Sequence, residues 1–384
     1  MAKGRAQVSW ASPAAVAPPP QRSGGQGRRP YLDNLKVTLV CCVIAGHAFI
    51  TYADLGSWAY REPSTNEVFL IVAALGVALG SLFAMGLFFL IAGLLTPRAL
   101  ARKGSAGFLR DRILRLGLPF AAYLVIYPLL SWWAGRDGAS LSHLLTEQTH
   151  RLDPGPLWFV LVLLLYSAGY VTWRAVRPAP PEPAPLRLSF LVWLAVAIAG
   201  STLLVRLWFP IDSYQVFALH LWQWPQCLGL FTLGVASAER GGLDPVSRST
   251  RRRAGLAALA AVAVVVSAFA VGSDSLDPFG GGWAWQAWLT AVGEAVVAVC
   301  LSLWLLGHFQ RKHDHTGRLR AALGRSAFGA YVLQAPVLVA VALAMSTVAL
   351  APEAKFLLVA PAAVAGSFGL AWLLTRTPGV NKVL

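Results

Sequence analysis

The chain has 384 residues, of which 57% are hydrophobic and only 13% charged, and its mean hydropathy is +0.59. This composition excludes a soluble globular protein and indicates a polytopic membrane protein. The net charge of +15 would suit a nucleic acid only if the cations lay on a solvated domain, and no polar stretch is long enough to form one, so we expect no nucleic-acid partner.

The chain divides into two tails and one membrane domain. Residues 1–30 are rich in Pro, Gly and Arg and contain no apolar run, which predicts a disordered cytoplasmic tail. Residues 31–376 form the predicted transmembrane domain, and residues 377–384 a short cytoplasmic tail. The four cysteines all fall in apolar spans, so we expect neither a disulfide framework nor a metal site: Cys41, Cys42, Cys227 and Cys300.

Apolar segments of about 20 residues, the length that a bilayer requires of a helix, recur along the domain. They predict an all-α bundle of about ten transmembrane helices. The segments are residues 35–53, 68–95, 113–134, 157–176, 188–208, 215–236, 254–272, 284–307, 323–346 and 355–375.

Lys and Arg decide the orientation of such a bundle, because they collect on the cytoplasmic side. With the N-terminus inside, 27 of the 32 Lys and Arg residues lie at cytoplasmic positions. We therefore predict that both termini are cytoplasmic and that the protein is a multi-pass protein of the cell membrane. The outer loops are too short for a separate catalytic domain, so any chemistry belongs to the bundle.

Lys36 and His47 belong to the first span, with ten residues between them. Eleven helical steps place them roughly 16 Å apart, the cation at the membrane surface and the imidazole inside. An ionisable residue at that depth is a candidate for function, and a neutral imidazole can act as a base or a nucleophile. The alternative is a histidine that only bonds a neighbouring helix, and a lysine that only obeys the rule for cytoplasmic cations.

Arg112 and Arg115 lie three residues apart at the start of the third span. On one helical face, two guanidinium groups suit a ligand rich in phosphate, because each presents planar, permanently charged donors. The alternative is contact with anionic lipid head groups.

Glu294 lies about ten residues into the eighth span, where an unpaired carboxylate is costly. A proton relay, a contact with a substrate hydroxyl and a structural hydrogen bond are all open. Arg206, Asp212 and His220 flank the outer ends of the fifth and sixth spans. With nearby tryptophans they can line a sugar pocket, although snorkelling also accounts for Arg206.

Several of these stretches resemble the acyltransferase 3 family of integral membrane enzymes. The first span is similar to that family's Leu-Asp-x-Leu-Arg/Lys pattern followed by a His, here Leu32 to His47. Arg112 and Arg115 match its Arg-x-x-Arg element. The segment Phe88-Phe89-Leu90-Ile91-Ala92-Gly93 is similar to its Phe-Phe-x-x-Ser-Gly segment, with Ala92 where Ser is usual.

Other segments extend the resemblance over about residues 30–345, toward the branch that includes glucan-modifying succinyltransferases. They are Gly155-Pro156-Leu157-Trp158-Phe159, Trp224-Pro225-Gln226 leading to Leu233-Gly234, Glu294, and Leu323-Gly324-Arg325 running to Tyr331 and Pro336.

The resemblance implies an acyltransferase that uses cytoplasmic acyl-CoA as co-substrate and acylates a hydroxyl of an extracytoplasmic or membrane-associated acceptor, a glycan above all. It implies catalytic roles for His47 and Glu294, and acyl-CoA contacts for Lys36, Arg112 and Arg115. Whether His47 is the base or carries the acyl group stays open, as do the acyl group, the acceptor and the oligomeric state. The rival functions are a proton-coupled transporter, with His47 and Glu294 as a relay, and a structural membrane protein.

Overall fold

The computed structural model describes residues 29–56, 58–135, 153–177, 187–211, 213, 215, 218–241, 243, 245–271, 277–380 and 383. Within them we number the helices α1 Pro30–Ala53, α2 Glu67–Arg112, α3 Leu118–Trp133, α4 Trp158–Val176, α5 Leu188–Trp208, α6 Trp224–Arg240, α7 Arg248–Val271, α8 Trp285–Lys312, α9 Arg318–Ser346 and α10 Pro352–Leu374. Short helical turns occupy Gly155–Leu157, Leu221–Gln223 and Asp277–Gly280. No strand occurs among these residues, and the predicted all-α polytopic bundle is confirmed.

The number of membrane crossings follows less directly from the structure than the fold class does. Eight stretches of the described chain are long and apolar enough to span a membrane. One of them, Glu67–Trp133, is 67 residues long and contains two of the predicted spans. Helix α6 has only 17 residues, because the first part of the predicted span 215–236 is a loop and a helical turn. Ten crossings and cytoplasmic termini therefore stay predictions. The predicted tail 1–30 lies outside the described residues except for its last two, and α1 begins at Pro30.

A glycine divides α2 into two arms. Gly104 has φ 68° and ψ 170°, a conformation that costs glycine little. Beyond it the chain folds back, since Lys103 Nζ lies 2.8 Å from Asp111 Oδ2 and Arg112 Nη2 donates to Thr96 Oγ1 over 3.3 Å. The chain then returns through the bundle as α3.

Helix α1 occupies a central place in the bundle. It packs against α2, α8, α9 and α10, and its side chains Leu35, Ile44 and Ala48 are almost completely buried. Because α1 also carries Lys36 and His47, both residues lie on a helix that neighbouring helices enclose. We call the end of the bundle where α1 begins the basic end, and the other the opposite end.

Helices α2 and α6 touch backbone to backbone. A Cβ atom on Gly93 would collide with the carbonyl oxygen of Phe231, and a Cβ on Gly234 with the carbonyl oxygen of Leu90. Small residues allow such close approach between helices in membranes. Gly93 and Gly234, which belong to two of the motifs found in the sequence, therefore form a single contact between α2 and α6.

One ion pair and one hydrogen bond tie the α1–α2 connection to the start of α10 at the opposite end. Lys355, only 3% exposed, pairs with Glu62, and Ser64 Oγ donates to Glu353 Oε2 over 2.7 Å. A buried ammonium needs such a partner. These contacts fix the segment that follows α1.

Candidate active site

The imidazole of His47 is held in one tautomer. Its Nδ1 lies 2.9 Å from the carbonyl oxygen of Val43, one turn earlier in α1. A carbonyl oxygen only accepts hydrogen bonds, so Nδ1 carries the proton and Nε2 keeps a free lone pair. This is the tautomer that a base or a nucleophile requires.

Trp58 covers one face of this imidazole. The two ring centroids are 4.5 Å apart, and Trp58 in turn packs edge-on against Tyr127 of α3 at 6.1 Å. Trp58 is itself buried and lies in the connection that follows α1, so the chain folds back over its own histidine. The indole restricts the ring orientation and excludes water from that face.

Gln334 of α9 lies beside the same ring and interacts with it. Its side chain is fully buried, yet neither its Nε2 nor its Oε1 reaches a hydrogen-bond partner among the described residues. An unbonded buried amide costs about 1–3 kcal/mol, so such a group in a native structure calls for a functional explanation. It presents a donor and an acceptor next to His47.

Two tyrosines hold α9 in this position. The hydroxyl of Tyr331 donates to the carbonyl oxygen of Pro156, and the hydroxyl of Tyr123 donates to the carbonyl oxygen of Val332. These bonds join α9 to α3 and to the turn before α4. They bring together two segments that the sequence separates by more than 150 residues.

A second histidine, His220, lies on the opposite-end side of His47. Its ring packs against Trp158 at 5.0 Å and Trp222 at 5.8 Å, and it interacts electrostatically with His47. His220 and Ala218 have φ of 47° and 44°, which is uncommon for residues with a side chain and typical of functional segments.

Glu294 of α8 forms a buried ion pair with Arg206 of α5. The two side chains are 4% and 3% exposed, and the guanidinium lies over the ring of Trp222 at 5.5 Å. Arg206 therefore points into the bundle, where snorkelling would have taken it to the surface. Among the described contacts Glu294 bonds to Arg206 and not to His47, and its Oε1 has no partner. Asp212, the third member of the suggested pocket, lies outside the described residues.

Arg112 precedes a π-helical turn, Ile113–Gly117, and Arg115 lies within it. Arg112 bonds to Thr96 and lies over the ring of Phe108 at 5.2 Å, whereas Arg115 is half exposed, with its Nε 3.4 Å from Asp111 Oδ1. The two guanidinium groups therefore have different partners and different exposure. Such π-helical turns are frequent at functional sites.

Lys36 lies at the basic end, on the first turns of α1. Its Nζ is 2.8 Å from Asp33 Oδ1, and the side chain keeps 29% exposure. Next to it, Asn34 Nδ2 donates to the carbonyl oxygens of His313 and His315 over 2.7 and 3.1 Å. The start of α1 is thus fixed to the α8–α9 connection, with the ammonium still accessible.

The chain as a whole matches a known family. The family model described as an acyltransferase domain, that of the acyltransferase 3 family, matches residues 29–376, nearly the whole chain. The chain belongs to the acyltransferase 3 family. The resemblance noted in the sequence is confirmed for the family, while the succinyltransferase branch stays a prediction. No curated protein and no solved structure matches the chain.

This membrane acyltransferase thus has two groups of candidate residues. Lys36, Arg112 and Arg115 belong to the basic end, and His47 lies deeper, with Glu294 in a separate ion pair. Sequence reasoning missed the closest companions of His47. Gln334 could have been singled out as an amide within an apolar span. Nothing in the sequence distinguished Trp58 from a tryptophan of the membrane interface.

Proposed function

We propose that this acyltransferase takes an acyl group, acetyl or succinyl, from acyl-CoA at the cytoplasmic side of the cell membrane and transfers it to a hydroxyl of a glycan. The observation that carries the proposal is the pair formed by His47 and Gln334. His47 has Nε2 as its unprotonated nitrogen, and Gln334 is a buried amide that lies beside the same ring. Acyl transfer requires a proton acceptor and a hydrogen-bond donor within one dry site.

Two routes fit this pair. In the first, His47 Nε2 removes the proton of the acceptor hydroxyl, whose oxygen attacks the thioester carbonyl; the C–S bond breaks and the thiolate takes the proton. In the second, Nε2 attacks the thioester carbon and the C–S bond breaks to release the thiolate; the acceptor hydroxyl then attacks the acyl group, the bond from that group to Nε2 breaks, and the hydroxyl proton passes to the thiolate. In both, the Gln334 amide N–H is available to the carbonyl oxygen as it gains negative charge.

The proposed binding of acyl-CoA rests on the cations at the basic end. The exposed Arg115 and the accessible Lys36 offer charge to the phosphates of coenzyme A, and Arg112 is held in place by Thr96 and Phe108. Guanidinium groups suit phosphate oxygens because their donors are planar and permanently charged. An extended pantetheine arm entering beside α1 would bring the thioester toward His47.

The acceptor end of the proposal rests on the residues beyond His47. His220 packs against Trp158 and Trp222, and the Glu294 Oε1 is a buried acceptor without a hydrogen-bond partner among the described residues. Aromatic rings and neutral or carboxylate acceptors are the groups that bind sugar hydroxyls. We assign Glu294 to the acceptor and not to the orientation of His47, since its other oxygen bonds to Arg206.

The same contacts weigh against the transporter alternative. A relay through His47 and Glu294 needs a carboxylate free to gain and lose a proton. Glu294 lies instead in a buried ion pair with Arg206, so its carboxylate is already held by a fixed partner.

The proposal is tested by acyl transfer in membranes that contain the protein. Acetyl-CoA or succinyl-CoA labelled in the acyl group is added, and the label is followed into the glycan fraction. We expect His47→Gln to abolish incorporation and His308→Gln, a matched change on α8, to leave it unchanged. Solute uptake into sealed vesicles without any covalent transfer would contradict the proposal and favour a transporter.

A further inference from the structure

A groove runs along the outside of the bundle from the basic end toward its middle. It has a volume of about 1450 Å³ and lies between α7, α8 and the first arm of α2. Its two parts differ in chemistry: four arginines line the end at the start of α7, and apolar side chains line the rest. The arginines are Arg248, Arg251, Arg252 and Arg253.

These arginines have no counterion among the described residues. None of them forms an ion pair with a carboxylate in the described part of the chain, and the Nε of Arg251 is buried without a hydrogen-bond partner there. Ser247 fixes the start of the helix, since its Oγ accepts the N–H of Thr250 over 3.1 Å. A fixed group of guanidiniums with an unused buried donor fits a phosphate better than it fits solvent.

The apolar part of the groove has a defined floor. A Cβ atom on Gly255 would lie 2.6 Å from the indole of Trp304, so the glycine lets the ring lie against the α7 backbone. Leu256 and Leu259 beside it are 58% and 68% exposed. Nine helical steps lead from Arg253 to Val262, or about 14 Å of helix, which is close to half the roughly 30 Å of a bilayer core.

We propose that this groove binds one anionic phospholipid, with its phosphate among the arginines and an acyl chain along Leu256, Leu259 and Val262. The positive charge of the four arginines complements the negative charge of the head group. The apolar part has the depth of one leaflet and opens on the surface of a membrane-spanning helix, where lipid chains are the neighbours. This site is distinct from Arg112 and Arg115, and the proposal does not rest on the acyl-transfer function.

Native mass spectrometry of the detergent-purified full chain tests the head-group contact, with phosphatidylglycerol as the probe and phosphatidylcholine as the neutral reference. The variant is Arg251→Gln/Arg252→Gln/Arg253→Gln. Each cation near an anionic lipid surface contributes about a fivefold factor, so we expect affinity for phosphatidylglycerol to fall by about 100-fold. The matched control Arg311→Gln/Arg318→Gln/Arg320→Gln removes the same charge elsewhere and should change it by less than about threefold. Equal loss in both variants, or none in the first, would overturn the site.

A second pair of variants tests the acyl-chain contact with the cations intact. Leu256→Ala/Leu259→Ala should weaken binding of long-chain phosphatidylglycerol severalfold, and Leu370→Ala/Leu373→Ala on α10 should not. Unchanged binding in the first pair would overturn the chain contact. Coenzyme A and glycerol phosphate serve as soluble competitors, and displacement of the lipid by either at equal concentration would show a general phosphate site and refute the lipid assignment.

Discussion

The contact between α2 and α6 makes a sharp prediction for Gly93→Ala. The added Cβ would collide with the carbonyl oxygen of Phe231 and lie 3.0 Å from the amide nitrogen of Val235 and 3.1 Å from the Cα of Gly234. All three are backbone atoms, so no side chain can rotate away and the helices must separate. Overpacking typically costs about 1–3 kcal/mol, and we expect the upper end of that range here.

Thermal unfolding in detergent measures this cost, and α2 supplies its own control. At Gly80 an added Cβ meets nothing within 4 Å, so Gly80→Ala should raise stability by about 0.5–1 kcal/mol through helix propensity. Gly93→Ala/Gly234→Ala should cost less than the sum of its single variants, because the first separation makes room for the second methyl group. Wild-type stability for Gly93→Ala would refute the backbone contact.

Two further predictions concern the interior. Glu294→Ala should destabilise the protein by about 3–5 kcal/mol, because it leaves the Arg206 charge buried and unpaired. The double variant Glu294→Met/Arg206→Met should recover much of this loss in stability. A Glu294→Ala protein with wild-type stability would contradict the ion pair. In the wild-type protein the buried Gln334 amide reaches no hydrogen-bond partner within bonding geometry among the described residues, so Gln334→Leu should keep or raise thermal stability. Acyl transfer should nevertheless fall at least tenfold. Unchanged transfer would show that Gln334 does not belong to the site.

The sequence predicts the parts of the site that lie on one helix. The distance between Lys36 and His47 follows from helical geometry alone, and the apolar pattern together with Pro30 predicts helix α1. The all-α bundle follows from composition and span length. Gly93 and Gly234 also stand in segments that the sequence singles out, although only the structure shows that they touch.

What the sequence leaves open depends on long-range packing and on backbone irregularity. The pairing of Glu294 with Arg206 joins two helices 88 residues apart, and no local pattern encodes it. The reversal at Gly104 and the π-helical turn that contains Arg115 are backbone irregularities that the apolar pattern of the sequence does not encode. The approach of Gln334 to His47 depends on where α9 docks, which two tyrosine hydrogen bonds decide.

The most direct test of the account is coenzyme A binding by the purified protein, measured as a shift in thermal unfolding. At a concentration 100 times its Kd, coenzyme A should stabilise the fold by about 2.7 kcal/mol. We predict a saturable shift that is lost in Arg112→Gln/Arg115→Gln and kept in Arg110→Gln, which removes a neighbouring exposed charge. No shift in an intact preparation, or an equal shift in all three proteins, would contradict an acyl-CoA site at the basic end.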